Sequence, residues 1–294
     1  MKDLNRFLQS SGETRTPDSV AALDGLSNRN FRVVLGSDDW VVRLASEDAD
    51  QLGISRAAEC EALRLAHAAG LGPEIIHMHL PEGHLISRFV DAQAFSQAPE
   101  AYRKPETLAQ IVETVVRIHH MPAIDHVFDP FARIRRAFHR AAQHTVPLPE
   151  QAQNLLDRLD AVESARGPLD PSCLALCHND LFAGNLLDAN PVRVIDWEFA
   201  GMGDIFFDLA TLVVATDEFA PLGDEHRDLI LTAYFGDASP EHRSRLDDMV
   251  FVVRLHVVAW GLTHHVLKTP AQGWEGFTFL GFAADLMGQL LSEG

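Results

Sequence analysis

Two stretches near the middle of the chain decide the fold: LCHNDLFAGNLL, from Leu176 to Leu187, and VRVIDWE, from Val192 to Glu198. The first has the pattern of an apolar strand, a polar loop and a short apolar strand. The second has the pattern of an apolar strand that ends in acidic residues. Together they contain the spacing H-x-D-x-x-x-x-N, followed by D-x-E. A separation of five residues lets one loop bring the carboxylate and the amide to neighbouring points.

This spacing is typical of a kinase catalytic loop that is followed by a metal-binding acid. In that chemistry one carboxylate lies beside the attacking hydroxyl, while an amide and a second carboxylate hold magnesium on the nucleotide phosphates. The pattern predicts Asp180 as the catalytic residue and Asn185 and Asp196 as magnesium ligands. His178 is expected to be structural, and Glu198 either to help the metal or to face the substrate. The simpler alternative, an acidic loop between two strands, is disfavoured by the wider context: Asp204 and Asp208 follow in a D-x-x-x-D spacing, and a strand with a cation and a helix with a glutamate precede the loop in the right order.

Composition limits the classes of function. The 294 residues suffice for two lobes, and 47% of them are hydrophobic without a run long enough to span a bilayer. We therefore expect no membrane insertion and, by default, a cytoplasmic location. The net charge of −18 disfavours nucleic acid as a partner; it can attract a cationic small substrate, although solubility explains it more simply. The odd set of cysteines, Cys60, Cys173 and Cys177, predicts neither a disulfide framework nor a zinc site.

The N-terminal third predicts a small sheet with one important helix. Phe31 to Leu35 and Trp40 to Leu44 flank a Gly/Asp turn and indicate a β-hairpin. In the loop before this hairpin, Ser27 and Asn28 can lie over nucleotide phosphates, although an ordinary turn is the simpler interpretation. Arg43 interrupts an apolar strand, so it either reaches the phosphates or lies on the solvent face of an edge strand.

A helix is predicted from Ser55 to about Ala69. Its Glu59 is the candidate partner of Arg43 in an internal ion pair; Glu61 is the rival, and a solvated helix face is the alternative for both. A second hairpin is predicted at 74–79 and 84–90. After that the pattern becomes helical, with helices expected at 105–121, 126–144 and 148–166.

The predicted architecture is an α+β fold of two lobes. Residues 1–91 form the N-lobe, with the nucleotide-binding sheet and the glutamate helix. Residues 92–294 form a larger, mainly helical C-lobe with the catalytic loop, the metal site and the substrate pocket. Adjacent His119 and His120 point to different helix faces, which disfavours a metal site. The arginines between 133 and 140 are expected to form a solvated face.

Asp208 lies among apolar residues in a helix predicted from Ile205 to Thr216. An acid in such surroundings is unfavourable to bury unless it accepts hydrogen bonds. We predict that Asp208 accepts backbone N–H bonds from the catalytic loop and holds that loop rigid. The alternative is a partly exposed acid near the start of a helix.

The motifs LCHNDLFAGNLL, VIDWEFAGMGD and FDLA resemble those of the choline/ethanolamine kinase and aminoglycoside phosphotransferase superfamily. GLSN at 25–28 resembles the phosphate loop of that family, and RAAE at 56–59 followed by LGP at 71–73 resembles its glutamate helix, which favours Glu59 over Glu61. VVRL places Arg43 at the position where protein kinases have a lysine, and in this it resembles choline kinases, which also have an arginine there. The resemblance covers nearly the whole chain. It implies a two-lobed, protein-kinase-like fold without a long protein-substrate segment, and phosphorylation of a small alcohol that depends on ATP and magnesium.

The acceptor is less well defined. AWGL at 259–262 resembles a choline-kinase helix that lines the choline pocket with tryptophans, so Trp260 is a candidate substrate residue, together with Glu198 and Glu218. A second tryptophan is replaced by Thr263. Choline or ethanolamine is the first choice of acceptor, and thiamine, an aminoglycoside or a sugar is the alternative. A protein kinase is disfavoured because no APE-like segment follows Asp196. A non-catalytic nucleotide-binding module ranks lower still, and the sequence does not indicate an oligomeric state.

Overall fold

A five-stranded antiparallel sheet forms the N-terminal part of the protein, in a computed structural model that describes residues 2–23, 28–167, 174–214, 222–270 and 276–293. The strand order is β1-β2-β3-β5-β4, which places β3 in the centre. The strands are β1 (Ser19–Leu23), β2 (Arg29–Leu35), β3 (Asp38–Leu44), β4 (Ile75–His79) and β5 (His84–Arg88). Both predicted hairpins are therefore present. Because β3 pairs with a strand on each side, Arg43 does not lie on an edge strand.

The two faces of the sheet have different neighbours. One face packs against the helix α1 (Lys2–Ser10). Side chains alternate along a strand, so Trp40, Val42 and Leu44 join the core under α1 while Arg43 points to the opposite face. The α1 residues in that core are Leu4, Phe7 and Leu8. Alternation within β3 is thus what directs a cation away from the apolar core.

A short helix, α2 (Ala49–Leu52), precedes the helix α3 (Arg56–Ala68), which carries the predicted glutamate. The Ser55 side chain accepts a hydrogen bond from the Ala58 N–H at 3.3 Å, which caps the helix as serine commonly does. At the other end the chain turns at Gly70, whose φ of 71° is accessible to glycine without steric strain. The helix therefore begins and ends where the sequence predicts.

The rest of the chain is mainly helical. It contains α4 (Pro99–Tyr102), α5 (Pro105–His119), α6 (Pro130–Gln143), α7 (Ala152–Arg166), α8 (Ile205–Val214), α9 (Asp224–Phe235), α10 (Pro240–Leu267) and α11 (Phe279–Ser292). The prediction of a helix from 126 was wrong by four residues, because Asp129 caps α6 and accepts the Ala132 N–H at 3.0 Å. The α+β class is confirmed.

Helix α10 is the longest element, with 28 residues. Among the described residues, it alone is long and apolar enough to cross a membrane, and 72% of its most apolar window is buried inside the fold. It packs against α6, α8 and α11. Burial in the core accounts for its apolar composition.

Two short ribbons hold the central stretch. The strand β6 (Ala175–Cys177) pairs with β9 (Gly201–Gly203), and β7 (Leu186–Leu187) pairs with β8 (Arg193–Val194). The loop predicted to be catalytic connects β6 to β7. The proposed lobe boundary at residue 91 follows the end of the sheet, but α3 shares its core with the helices. We therefore keep that boundary as a proposal.

Candidate active site

The loop after β6 is held by a buried acid on α8. Asp208 is fully buried and accepts the backbone N–H of His178 at 2.9 Å and that of Asn179 at 2.7 Å. The hydrogen bonds predicted from the sequence are therefore present. A third donor is the His119 side chain, whose Nε2 lies 3.0 Å from Asp208. This contact was not predicted from the sequence, where its signal is a histidine at the end of an apolar helix, α5.

His178 fastens the same loop to the strand that carries the predicted metal acid. Its Nε2 donates to the Ile195 carbonyl at 3.1 Å, and its ring lies 4.7 Å from that of Trp197 in an edge-to-face contact. Burial lowers the pKa of His178 to about 4, so the ring is neutral at physiological pH. These contacts match the structural role expected for His178.

Asp180 and Asn185 meet at the centre of the site. The Asn185 amide nitrogen donates to the Asp180 carboxylate and to the Asp180 main-chain carbonyl, each at 2.8 Å. This contact uses the amide nitrogen and leaves the amide oxygen as a possible metal ligand. The backbone N–H of Ile195 donates to the Asn185 carbonyl at 3.0 Å, which brings the residue before Asp196 against the same loop.

Asp196 follows β8 with a left-handed backbone, at φ 62°. Its side chain remains 38% exposed, and the Arg43 guanidinium lies 3.7 Å away. Desolvation by the surrounding protein is the largest cause that raises the pKa of Asp196, and the negative charge of Glu198 is the next. Arg43 acts in the opposite direction but does not outweigh them. Desolvation also raises the pKa of Asp180, and the charges of Asp196 and Glu198 add to it. The site thus gathers more negative charge than its cations compensate.

A magnesium ion fits this arrangement. Carboxylate and amide oxygens are the ligands that magnesium takes, and Asp196 and Asn185 provide one of each. The raised pKa values of Asp180 and Asp196 are the effect expected of clustered carboxylates that a cation would stabilise. We assign the site to magnesium as a proposal.

A buried ion-pair network joins the sheet, α3 and the turn after Asp196. Arg43 contacts Glu59 at 2.5 Å, Arg56 contacts Glu59 at 2.9 Å, and Arg56 contacts Glu198 at 3.0 Å. The Asn28 amide nitrogen donates to Glu198 at 3.0 Å. All five side chains belong to residues no more than 6% exposed. Burial alone would raise the pKa of Glu59, but Arg43 and Arg56 outweigh it and the net pKa is lowered.

The ion-pair network decides between Glu59 and Glu61 as the partner of Arg43, and it changes the roles expected for Glu198 and Asn28. Glu59 pairs with Arg43, whereas Glu61 is exposed. Glu198 was expected to help the metal or to face the substrate. In the structure its carboxylate is buried and contacts the Arg56 guanidinium and the Asn28 amide nitrogen instead. The Asn28 side chain does not reach toward a phosphate site, since its oxygen accepts the Ser46 N–H at 3.1 Å.

Two predicted residues, Ser27 and Glu218, lie outside the described residues. Trp260 is partly buried on α10 and makes edge-to-face contacts with Phe279 and Phe282. One side of Trp260 borders a cleft whose walls also include Phe199. The structure therefore separates the predicted substrate residues: Trp260 faces a cleft, and Glu198 belongs to the ion-pair network.

Comparison with known proteins identifies the family. The model of the "Phosphotransferase enzyme family" matches residues 19–247. The chain belongs to that family. Protein LicA of Haemophilus influenzae is 27% identical over 228 residues, which cover 76% of this chain and 65% of that protein's length. Thiamine kinase of Escherichia coli is 41% identical over 76 residues, 26% of this chain and 25% of that protein.

Solved structures support the protein-kinase-like fold. The choline/ethanolamine kinase family protein of Mesorhizobium loti has a TM-score of 0.75 and 28% identity, covering 93% of this chain and 87% of its own. A structure of LicA in complex with AMP has a TM-score of 0.76 at 17% identity, covering 100% and 98% of the two chains. The relatives and neighbours of this family member are thus small-molecule kinases and phosphotransferases, and one of the reported structures, LicA, contains AMP.

The ion-pair network predicts a strong effect of removing one cation. Arg56→Gln leaves Glu198 buried with only Asn28 and a distant Arg43, so the free energy of unfolding should fall by about 3 kcal/mol. Urea denaturation measures it. The matched control is Arg64→Gln, on the exposed side of the same helix, for which we expect a change below about 0.5 kcal/mol. Equal effects of the two substitutions would show that the network contributes no stability.

The Asp208 contacts predict a change in the mobility of the catalytic loop. Asp208→Asn replaces one accepting oxygen by an NH₂ group, so a buried backbone N–H of His178 or Asn179 loses its acceptor. Hydrogen exchange of peptides that span 176–185 should become at least tenfold faster. Asp228→Asn, at an exposed ion pair on α9, is the control. Unchanged exchange in Asp208→Asn would mean that this acid does not hold the loop.

Proposed function

We propose that the protein transfers the γ-phosphoryl group of ATP to the hydroxyl group of a small alcohol, with magnesium as cofactor. The observation that carries this proposal is the convergence of three groups. Asp180 accepts a hydrogen bond from the Asn185 side chain. Ile195, the residue before Asp196, donates its backbone N–H to the Asn185 carbonyl. This arrangement is what phosphoryl transfer needs: a carboxylate for the hydroxyl beside two oxygen ligands for a metal.

In this proposal Asp180 orients the acceptor. The alcohol oxygen forms a bond to the γ-phosphorus while the bond from that phosphorus to the bridging oxygen breaks, and ADP leaves. The hydroxyl proton passes to the carboxylate of Asp180, which acts as the general base. Asn185 holds the Asp180 carboxylate in place through its amide nitrogen. Positioning is the main contribution, because the transition state is loose.

Asn185 and Asp196 would hold the magnesium ion, which supplies charge neutralisation for the phosphates when it is bound. Arg43 would neutralise the α and β phosphates. Its guanidinium lies beside Asp196 and is fixed by Glu59 and by the Gly83 carbonyl at 3.0 Å. Ser27 and the backbone near Asn28 would lie over the phosphates.

The choice of acceptor has two candidate classes. The likeness to the choline/ethanolamine kinase family protein of Mesorhizobium loti favours choline or ethanolamine, and the match to thiamine kinase favours thiamine. An aminoglycoside or a sugar is a further alternative within the fold. Trp260 offers an aromatic face for a cation, but the cleft beside it has no acidic lining residue in the described part of the chain. Glu218, which could supply such a charge, lies outside that part.

An assay of ATP consumption with a panel of alcohols tests the proposal. The wild type should form ADP in the presence of one acceptor class and magnesium, and Asp180→Ala should lower kcat by at least about a hundredfold. Nucleotide binding by Asp180→Ala, measured by calorimetry, should stay within a few fold of the wild type. Retained turnover in this variant would remove Asp180 from the catalytic role. Nucleotide binding without consumption for any alcohol would favour the non-catalytic module.

A further inference from the structure

An arginine-lined cleft lies between α2, α6 and α10, and we call it the arginine cleft. Its walls include Arg133, Arg136 and Arg140 of α6, together with Phe199, Trp260 and Thr263. The three arginines lie at positions i, i+3 and i+7 of one helix, so they share one face. The expectation that this basic stretch is an ordinary solvated face is therefore incomplete, because these arginines share a concave site with Trp260.

The charges of the arginine cleft lack acidic partners. Within the described residues, none of its three arginines lies within 4.0 Å of a carboxylate, and Arg136 is exposed. By contrast Arg135, on another face of the same helix, contacts Asp160 and Glu163, each at 2.5 Å. Among the described residues, a protein with a net charge of −18 thus leaves these three cations without an ion pair, and Asp129 acts on Arg133 only from a longer distance.

Arg133 is fixed in the cleft by groups that do not cancel its charge. It donates to the Leu52 carbonyl at 2.7 Å and to the Gly53 carbonyl. Its guanidinium also lies 4.5 Å from the ring centre of Phe128 and 5.4 Å from that of Phe199. Arg140 makes a long contact, 3.4 Å, with the Gln51 carbonyl. The helix therefore presents one rigid cation, Arg133, and two cations without an ion-pair partner among the described residues.

One wall of the arginine cleft is hydrogen-bonded to the catalytic loop. Phe199 forms part of its wall, and the Phe199 carbonyl accepts a hydrogen bond from the Asn179 side chain at 3.0 Å. Asn179 immediately precedes Asp180. Through this hydrogen bond the wall of the cleft is joined to the residue that precedes the predicted catalytic carboxylate.

We infer that the arginine cleft binds the acceptor, and that this acceptor is an alcohol whose other end bears a carboxylate or a phosphate-like group. Guanidinium groups bind such oxyanions through paired, charge-assisted hydrogen bonds. A quaternary ammonium ion would instead meet like charges. This inference rests on the proposed function and specifies its substrate class. The hydroxyl oxygen of the acceptor bonds to the γ-phosphorus of ATP while the bond from that phosphorus to the bridging oxygen breaks and ADP leaves. The hydroxyl proton goes to Asp180, and the anionic end of the acceptor is unchanged.

A matched series of three-carbon alcohols tests the inference. The probes are 3-hydroxypropanoate, 3-hydroxypropylphosphonate, 1,3-propanediol and 3-aminopropanol, with choline as an additional cation. We expect kcat/KM for one of the two anionic alcohols to exceed that for the diol and for both cations by at least about tenfold. The carboxylate and the phosphonate distinguish the two sources of negative charge. A preference for 3-aminopropanol or choline would overturn the inference and leave the proposed function intact.

Variants separate a bound anion from a general charge effect. Arg136→Gln and Arg140→Gln should each raise KM for the preferred anionic alcohol about tenfold, while kcat and KM for ATP change little. Arg135→Gln is the control, since it removes the same charge from the same helix outside the cleft. Equal KM values in Arg135→Gln and the two cleft variants would contradict the inference.

Calorimetry gives a readout that does not need turnover. The anionic alcohols are titrated into the full chain with ADP and magnesium, and their binding should weaken in Arg136→Gln and Arg140→Gln but not in Arg135→Gln. If that pattern holds without any ATP consumption, the anion site stands and the proposed function fails. If neither anion binds more tightly than 1,3-propanediol at millimolar concentration, the inference fails.

Discussion

The buried chain of ion pairs from Arg43 through Glu59 and Arg56 to Glu198 is the interaction on which the site depends. It joins the central strand of the sheet, the helix α3 and the turn that follows Asp196. Charges removed from water are stable only when each is paired, so these three elements cannot shift independently without a large penalty. The network therefore fixes the cation proposed for the phosphates at 3.7 Å from the acid proposed for the metal.

The catalytic loop is fixed by a second constraint, the carboxylate of Asp208. Asn179 and Asp196 both have left-handed backbones, with φ of 64° and 62°, a conformation that short polar residues tolerate better than others. A left-handed backbone is stable where surrounding contacts hold it in place. Here Asp208 accepts the Asn179 N–H, and the His178 side chain donates to the Ile195 carbonyl, next to Asp196. The two constraints together bring Asp180, Asn185 and Asp196 to one place.

Local sequence patterns were sufficient to predict the hairpins, most of the helices and the proximity of Asp180 to Asn185, because each of these depends on residues that are close in the chain or on a repeating spacing. The bonds of Asp208 to the loop were predicted because an acid in an apolar segment must find hydrogen-bond donors. The pairing of Arg43 with Glu59 was one of two alternatives from the residues alone, and the family resemblance favoured it over Glu61. The contacts of Arg56 and Asn28 with Glu198 could not be predicted, since they join residues 142 and 170 positions apart. Helical spacing placed the arginines of α6 on one face but did not reveal that this face borders Trp260.

The central claim is that Asn185 and Asp196 form a metal site beside Asp180. Crystals grown with Mn²⁺ and a non-hydrolysable ATP analogue test it directly, because the anomalous signal of manganese locates the ion without reference to the protein model. We expect the anomalous peak within bonding distance of the Asn185 amide oxygen and the Asp196 carboxylate, with the γ-phosphate next to Asp180. An anomalous peak elsewhere in the chain, or nucleotide bound away from Asp180 and Arg43, would contradict the claim.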